Sequence, residues 1–181
     1  MPRSLNDGPR HEGERARGAR RTMLRASLWA GVLLLLAVQP RAAWAQRVRI
    51  TNISDVSFGL ISNLQADSSQ SQNLCVFSQS TAGAYSISAS GSGPGSSFAL
   101  SSGSDALVYE VQWSSQSGQT SGTSLAPGVP LTGQTSAASQ QTCNSGPATS
   151  ASLSIILRAS QLSQARQGNY SGSLTLLVAA E

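Results

Sequence analysis

Histidine is almost missing from this sequence: one residue, His11, in a chain of 181. Lysine is absent, so all twelve basic residues are arginine. Charged side chains make up 11% of the chain and aromatics 5%, and there are two cysteines. A Ser/His/Asp triad needs an imidazole to accept the serine proton, and a nucleophilic cysteine needs a base beside it, so both chemistries lack their central part. Zinc and copper sites draw on clusters of His and Cys that this chain does not have. The chain also has no apolar run long enough to cross a bilayer. Leu28 to Val38 spans eleven residues without a polar side chain, where a membrane helix needs roughly 20.

The chain's one notable apolar run is therefore short. Eleven residues fit the apolar core of a secretory signal peptide, about 7–15 residues long. Arg20, Arg21 and Arg25 precede it and Pro40 ends it. Ala43-Trp44-Ala45 then offers the small-x-small pattern that signal peptidase accepts, predicting cleavage after Ala45 and a mature chain that starts at Gln46. Met23 makes a more compact start than Met1. Arg20-Arg21-Thr22-Met23-Leu24 resembles a twin-arginine signal, but with no cofactor site the general secretory route is expected. The expected organisation is a targeting segment, residues 1–45, and one exported domain, residues 46–181, with no membrane span in the mature chain.

This division reassigns the charge. The whole chain carries +4, which would suit a nucleic-acid partner. Eight of the twelve arginines precede Gln46. The mature part keeps Arg47, Arg49, Arg158 and Arg166 against Asp55, Asp67, Asp105, Glu110 and Glu181, a net −1. The case for nucleic acid leaves with the targeting segment, and so does His11. Of the acids, Asp55, Asp67, Asp105 and Glu110 are the internal candidates for a carboxylate pair that cuts glycosides. Glu110 is expected on the solvent face of its strand, and all four read as solvated surface acids. Gly91-x-Gly93-x-Gly95 has no helix pattern after it and is no phosphate loop. The sequons at Asn52 and Asn169 are uninformative in so serine-rich a chain.

Cys75 and Cys143 both lie in the exported part, where two cysteines have one possible pairing. The bridge would close a loop of 68 residues, for which chain entropy gives on the order of 4 kcal/mol.

The mature composition, rich in Ser, Gln, Gly, Thr and Ala, could be that of a linker. The apolar residues argue otherwise, because they fall in short alternating clusters between Gly/Ser/Pro turns, the pattern of an antiparallel β-sandwich. Residues 47–53 read as a first strand carrying Val48 and Ile50, and Val56 to Leu60 continues or follows it. Asp67 to Asn73 is polar and reads as a loop. Leu74 to Phe77 reads as a central strand, and Tyr85, Ile87 and Ala89 mark the next. Phe98 and Leu100 start a short one. Leu107, Tyr109, Val111 and Trp113 alternate with polar neighbours over one continuous strand. Residues 114–150 are mostly loop, with a weak strand near Val129-Pro130-Leu131. Leu153, Ile155 and Leu157 mark a further strand. Tyr170, Leu174, Leu176 and Val178, with Gly172 in phase, make a long terminal one. Leu162 to Arg166 suits one helical turn.

Five segments in order carry a resemblance: SDVSFG at 54–59, NLCVFS at 73–78, AYSISASGSG at 84–93, LVYEVQW at 107–113 and GNYSGSLTLLV at 168–178. Together, behind a signal peptide, they resemble the spore coat protein U-like domain family, which includes the pilin subunits of archaic chaperone–usher pili. The resemblance spans about residues 47 to 181 and rests on the ordered set, since no single segment is specific.

It implies an immunoglobulin-like sandwich that lacks its last strand and is completed by a donor strand. It also implies a structural rather than enzymatic role, a periplasmic pilus chaperone, an outer-membrane usher and other pilin subunits as partners, and passage through the periplasm to the cell surface. The implied strand-complementation groove would be lined by Tyr170, Leu174, Leu176 and Val178 on one edge and Val48 and Ile50 near the other. Ordinary sandwich core is the alternative for all six. Only Gln46 to Ser54 precede DVSFG, so the subunit either accepts a strand without donating one or is complete alone. A self-complete secreted adhesin or binding module, contacting through residues 114–150, is the other reading.

Overall fold

The computed structural model describes residues 46–181. The proposed leader, with Ala43 and Ala45, lies outside the described residues; Gln46 is the first of them and is exposed.

Serine and glycine break the described chain into short extended segments, and all ten strands that form pair antiparallel. They are β1 (Val48–Thr51), β2 (Ser68–Ser78), β3 (Ala84–Gly91), β4 (Ala99–Ser102), β5 (Asp105–Val108), β6 (Glu110–Ser114), β7 (Thr123–Ser124), β8 (Leu131–Thr135), β9 (Ala151–Leu157) and β10 (Leu174–Ala180). One helical turn, α1 (Ala159–Leu162), comes after β9. The larger sheet has the order β1-β2-β9-β6-β7, the smaller β10-β3-β8, and β4 and β5 form a hairpin. The fold is thus the expected all-β sandwich. Gly103, with φ 61°, opens the two-residue turn between β4 and β5, where a left-handed residue matches the twist of the strands.

Period-two burial builds the core between the sheets. Tyr85, Ile87 and Ala89 of β3 face Leu74 and Val76 of β2, Val111 and Trp113 of β6, and Leu153 and Leu157 of β9, all essentially buried. The Trp113 indole N–H donates to the Tyr85 hydroxyl at 3.1 Å, and the two rings meet edge to face, 6.4 Å apart. Burial pushes the Tyr85 phenol up to about 12, against a smaller downward effect of the indole bond. On the other side of β2, Cys75 joins Cys143 in a disulfide with its Cα atoms 6.0 Å apart. Phe77 and Ala138 pack around it in a small separate cluster.

Several elements differ from the sequence reading. The first strand stops at Thr51, because Asn52 turns the backbone aside at φ 63°, and Val56 to Leu60 forms no strand. Ser68 to Asn73, read as a loop, is the first half of β2. It pairs along β9 from Ser68 opposite Leu157 to Asn73 opposite Ser152. Backbone pairing there overrides the low strand propensity of Ser, Gln and Asn, helped by hydroxyl pairs such as Ser71–Ser154 at 2.8 Å.

Residues 107–113 are not one strand. The chain leaves β5 at Val108 and enters β6 at Glu110, and the Tyr109 N–H turns to the Phe98 carbonyl at 3.0 Å. Alternation survives the change of sheet, and Leu107, Tyr109, Val111 and Trp113 are all buried. β9 is central, and the serines and isoleucine between its inward leucines are almost all buried too. The terminal strand starts at Leu174, not Tyr170, and the helical turn lies at Ala159–Leu162 rather than 162–166.

Candidate functional site

β10 has β3 as its only strand partner, in register from Leu174 opposite Gly91 to Ala180 opposite Tyr85. A strand with one neighbour turns alternate N–H and C=O groups outward on its other side. Among the described residues no backbone or side-chain group outside the sheet bonds to residues 174–180 on that side. The side chains repeat the asymmetry. Leu174, Leu176 and Val178 point to the core yet stay half-buried, while Thr175, Leu177 and Ala179 are exposed, Leu177 at 67%.

β1 is the matching edge of the larger sheet. It pairs only with β2, from Val48 opposite Ser78 to Thr51 opposite Cys75, and it lies beside β10. Val48 and Ile50 also pack on the core while half-buried. Inward residues of interior strands are 0–1% exposed on β3 and 1% on β6. The core is therefore closed on the β3–β6 side and only partly covered between β1 and β10, where no further strand among the described residues pairs with either edge.

Tyr170 departs from the expected row. It precedes β10 in a stretch tied to the β4 hairpin: Ser171 and Ser101 exchange backbone bonds of 3.0 and 2.8 Å, and the Ser173 N–H donates to Ser92 Oγ at 3.0 Å. The Tyr170 ring packs on the core, half-buried, while its hydroxyl donates to the Arg166 carbonyl at 3.1 Å. Gly172 lies against the same hairpin, where a Cβ would meet Ser92 Oγ at 2.8 Å and the Ala99 carbonyl at 3.0 Å. The structure thus places five of the six sequence-chosen residues on two facing edge strands and Tyr170 on the loop at their end. It adds Phe58 and Ile61, which also pack on the core half-buried. Phe58 sits in the SDVSFG segment, and the alternation of Val56, Phe58 and Leu60 was the signal available for it.

The four internal acids lie at the surface, as expected, and three of them, Asp67, Glu110 and Asp105, have a cation beside them. Arg158, after β9, donates from one guanidinium nitrogen to Asp67 at 2.7 Å and from another to Glu110 at 2.5 Å. The Ala159 N–H at the start of α1 donates to the second Asp67 oxygen at 2.8 Å. That backbone bond, with the Arg158 bond second, holds the Asp67 carboxyl below its ordinary range. The Arg158 bond holds Glu110 low as well, partly offset by desolvation and by Asp67. The guanidinium is held protonated more firmly than usual by its two carboxylates. Asp105 lies 3.9 Å from Arg166. The cluster is a clasp joining the starts of β2, β6 and α1, with each carboxylate engaged by a cation. Among the described residues there is no histidine, both cysteines are in the disulfide, and no three of His, Cys, Asp and Glu stand close enough to hold a metal ion. No described helix is long and apolar enough to cross a membrane.

No family model and no curated protein matches the chain. Among solved structures, it is similar to a chain described under "Chaperone-tip adhesin complex is vital for synergistic activation of CFA/I fimbriae biogenesis". Identity is 16% and the TM-score 0.49, over 75% of this chain and 41% of that one.

Proposed function

We propose that this chain is a non-enzymatic structural subunit of a secreted surface pilus or coat, built by strand complementation. The observation that carries the reading is the only partly covered core between β1 and β10. Two edge strands face each other there with their inward side chains half-buried. An extended segment laid along β10 would pair its outward N–H and C=O groups and cover Leu174, Leu176, Val178, Val48 and Ile50 in one step. Backbone bonds would supply affinity, and alternating side chains the register. The resemblance of the ordered segments to spore coat protein U-like domains supports the same reading. In it a periplasmic chaperone holds the subunit until an usher passes it to the next, and Gln46 begins the mature chain. With β1 already paired to β2, the subunit accepts a strand rather than giving one, which suits a terminal place.

The test is to export the full chain to a bacterial periplasm with and without a co-expressed pilus chaperone. The reading expects a stable one-to-one complex with the chaperone, and aggregation or degradation without it. A soluble, monomeric, cooperatively folding product without chaperone would instead favour a self-complete secreted binding module.

A further inference from the structure

Residues 52–67 link β1 to β2 without forming strand or helix. They carry Ile53, Leu60 and Leu64, three of the six exposed large apolar side chains among the described residues. Two others, Phe58 and Ile61, turn inward onto the sandwich core. The segment is held almost entirely by side chains. Ser54 donates through its N–H and its hydroxyl to Gln72 Oε1, both at 3.0 Å; the Gly59 and Gln65 N–H groups bond only to Ser57 and Asn63 nearby.

Its position is set by the sheet. β1 covers β2 only from Cys75 to Ser78, so Ser68 to Leu74 have β9 on one side and no strand on the other. The Ser54–Gln72 contact sets Ser54 beside that vacant stretch, continuing the register in which Thr51 lies opposite Cys75. Gly59, at φ 61°, breaks the alternation of Val56-Ser57-Phe58-Gly59-Leu60. This left-handed residue reverses the facing of the next two side chains, so Ile61 reaches the core and Leu60 is 95% exposed.

We infer that residues 53–64 are a tethered strap that covers part of the open core through Phe58 and Ile61 and must be displaced when a strand docks beside β10. The inference rests on the strand-accepting reading and adds an occupant to it: the chain's own strap shields the apolar floor in the unassembled subunit. Its few backbone bonds let it leave without disrupting a sheet, and its anchors at β1 and β2 keep it close by.

The test uses the exported, purified chain and a soluble 13-residue peptide of alternating Val and Thr with a terminal Lys pair. In the apo protein Phe58 is half-buried against the core. Peptide docking should release the strap and speed chymotrypsin cleavage after Phe58 relative to cleavage after the already exposed Leu60. F58S/I61S should bind the peptide about tenfold or more tightly than the parent, since no buried apolar surface has to be given up. The cleavage measurement needs no variant, so it decides the matter even where F58S/I61S fails to fold. Peptide binding that leaves the cleavage rate unchanged, with equal affinity in the variant, overturns the strap and leaves strand acceptance standing. No peptide binding to either protein overturns strand acceptance and the strap with it.

Discussion

Tyr85 and Trp113 show what one hydrogen bond does in this core. Both side chains are fully buried, and the indole N–H has the Tyr85 hydroxyl as its partner. Tyr85→Phe keeps the ring and strands the donor, which costs about 1–3 kcal/mol in urea unfolding. Because the folded phenol titrates at about 12 against 10.0 ordinarily, its proton stabilises the fold fully below pH 10. Stability is lost as pH rises from there through about 12, and Y85F should lack that alkaline limb. The Arg158 clasp has the opposite sign. Asp67 and Glu110 are both held low, so their contribution is present above the ordinary carboxylate range and lost as pH falls through their depressed values. Arg158→Gln should move the acid unfolding midpoint to higher pH in a pH-jump series, and an unchanged midpoint would remove the clasp from the account. None of this was readable from spacing. Glu110 reads as a solvated acid in the sequence because its partner lies 48 residues away, and Asp67's lies 91 away.

At the scale of elements, β10 carries the functional argument in its alternation. Leu176 faces the partly covered core and Leu177 faces solvent. Leu176→Ser should weaken docking of an apolar extended peptide by about tenfold or more, while Leu177→Ser should leave affinity and stability within about 0.5 kcal/mol. Equal effects of the two, measured by fluorescence anisotropy, would place docking elsewhere. β2 and β9 show a second rule. Ser152 Oγ lies 2.9 Å from both Asn73 Oδ1 and the Gln116 carbonyl, which share its one proton, and it accepts from the Gln119 N–H at 3.0 Å. That one hydroxyl fastens the loop after β6 to the sheet. Serine there reads as turn or surface in a sequence, and only the neighbouring strands make it interior. The same ambiguity hid the first half of β2, whose polar residues become a strand because β9 offers a backbone ladder beside them.

For the whole molecule, the disulfide and the sandwich core are separate holdings. Cys75, Cys143, Phe77 and Ala138 form their own cluster apart from the core around Trp113. Replacing both cysteines by alanine should cost about 2–4 kcal/mol through the unfolded chain, while the near-ultraviolet signal of Trp113 persists. Loss of that signal would show the two clusters to be one cooperative unit.

Alternation of apolar residues and the turn-forming glycines determined the β-sandwich class and most of its strands from the sequence alone, because burial on one face imposes a period of two locally. Of the six residues the sequence singled out for a groove, five lie on β1 and β10, and Tyr170 lies ahead of β10. Tertiary structure alone decided that β1 and β10 stand as facing edges over a partly covered core, and that Phe58 and Ile61 lean into it. Which strands find a partner depends on pairings between distant segments, and no local pattern records a neighbour that is missing.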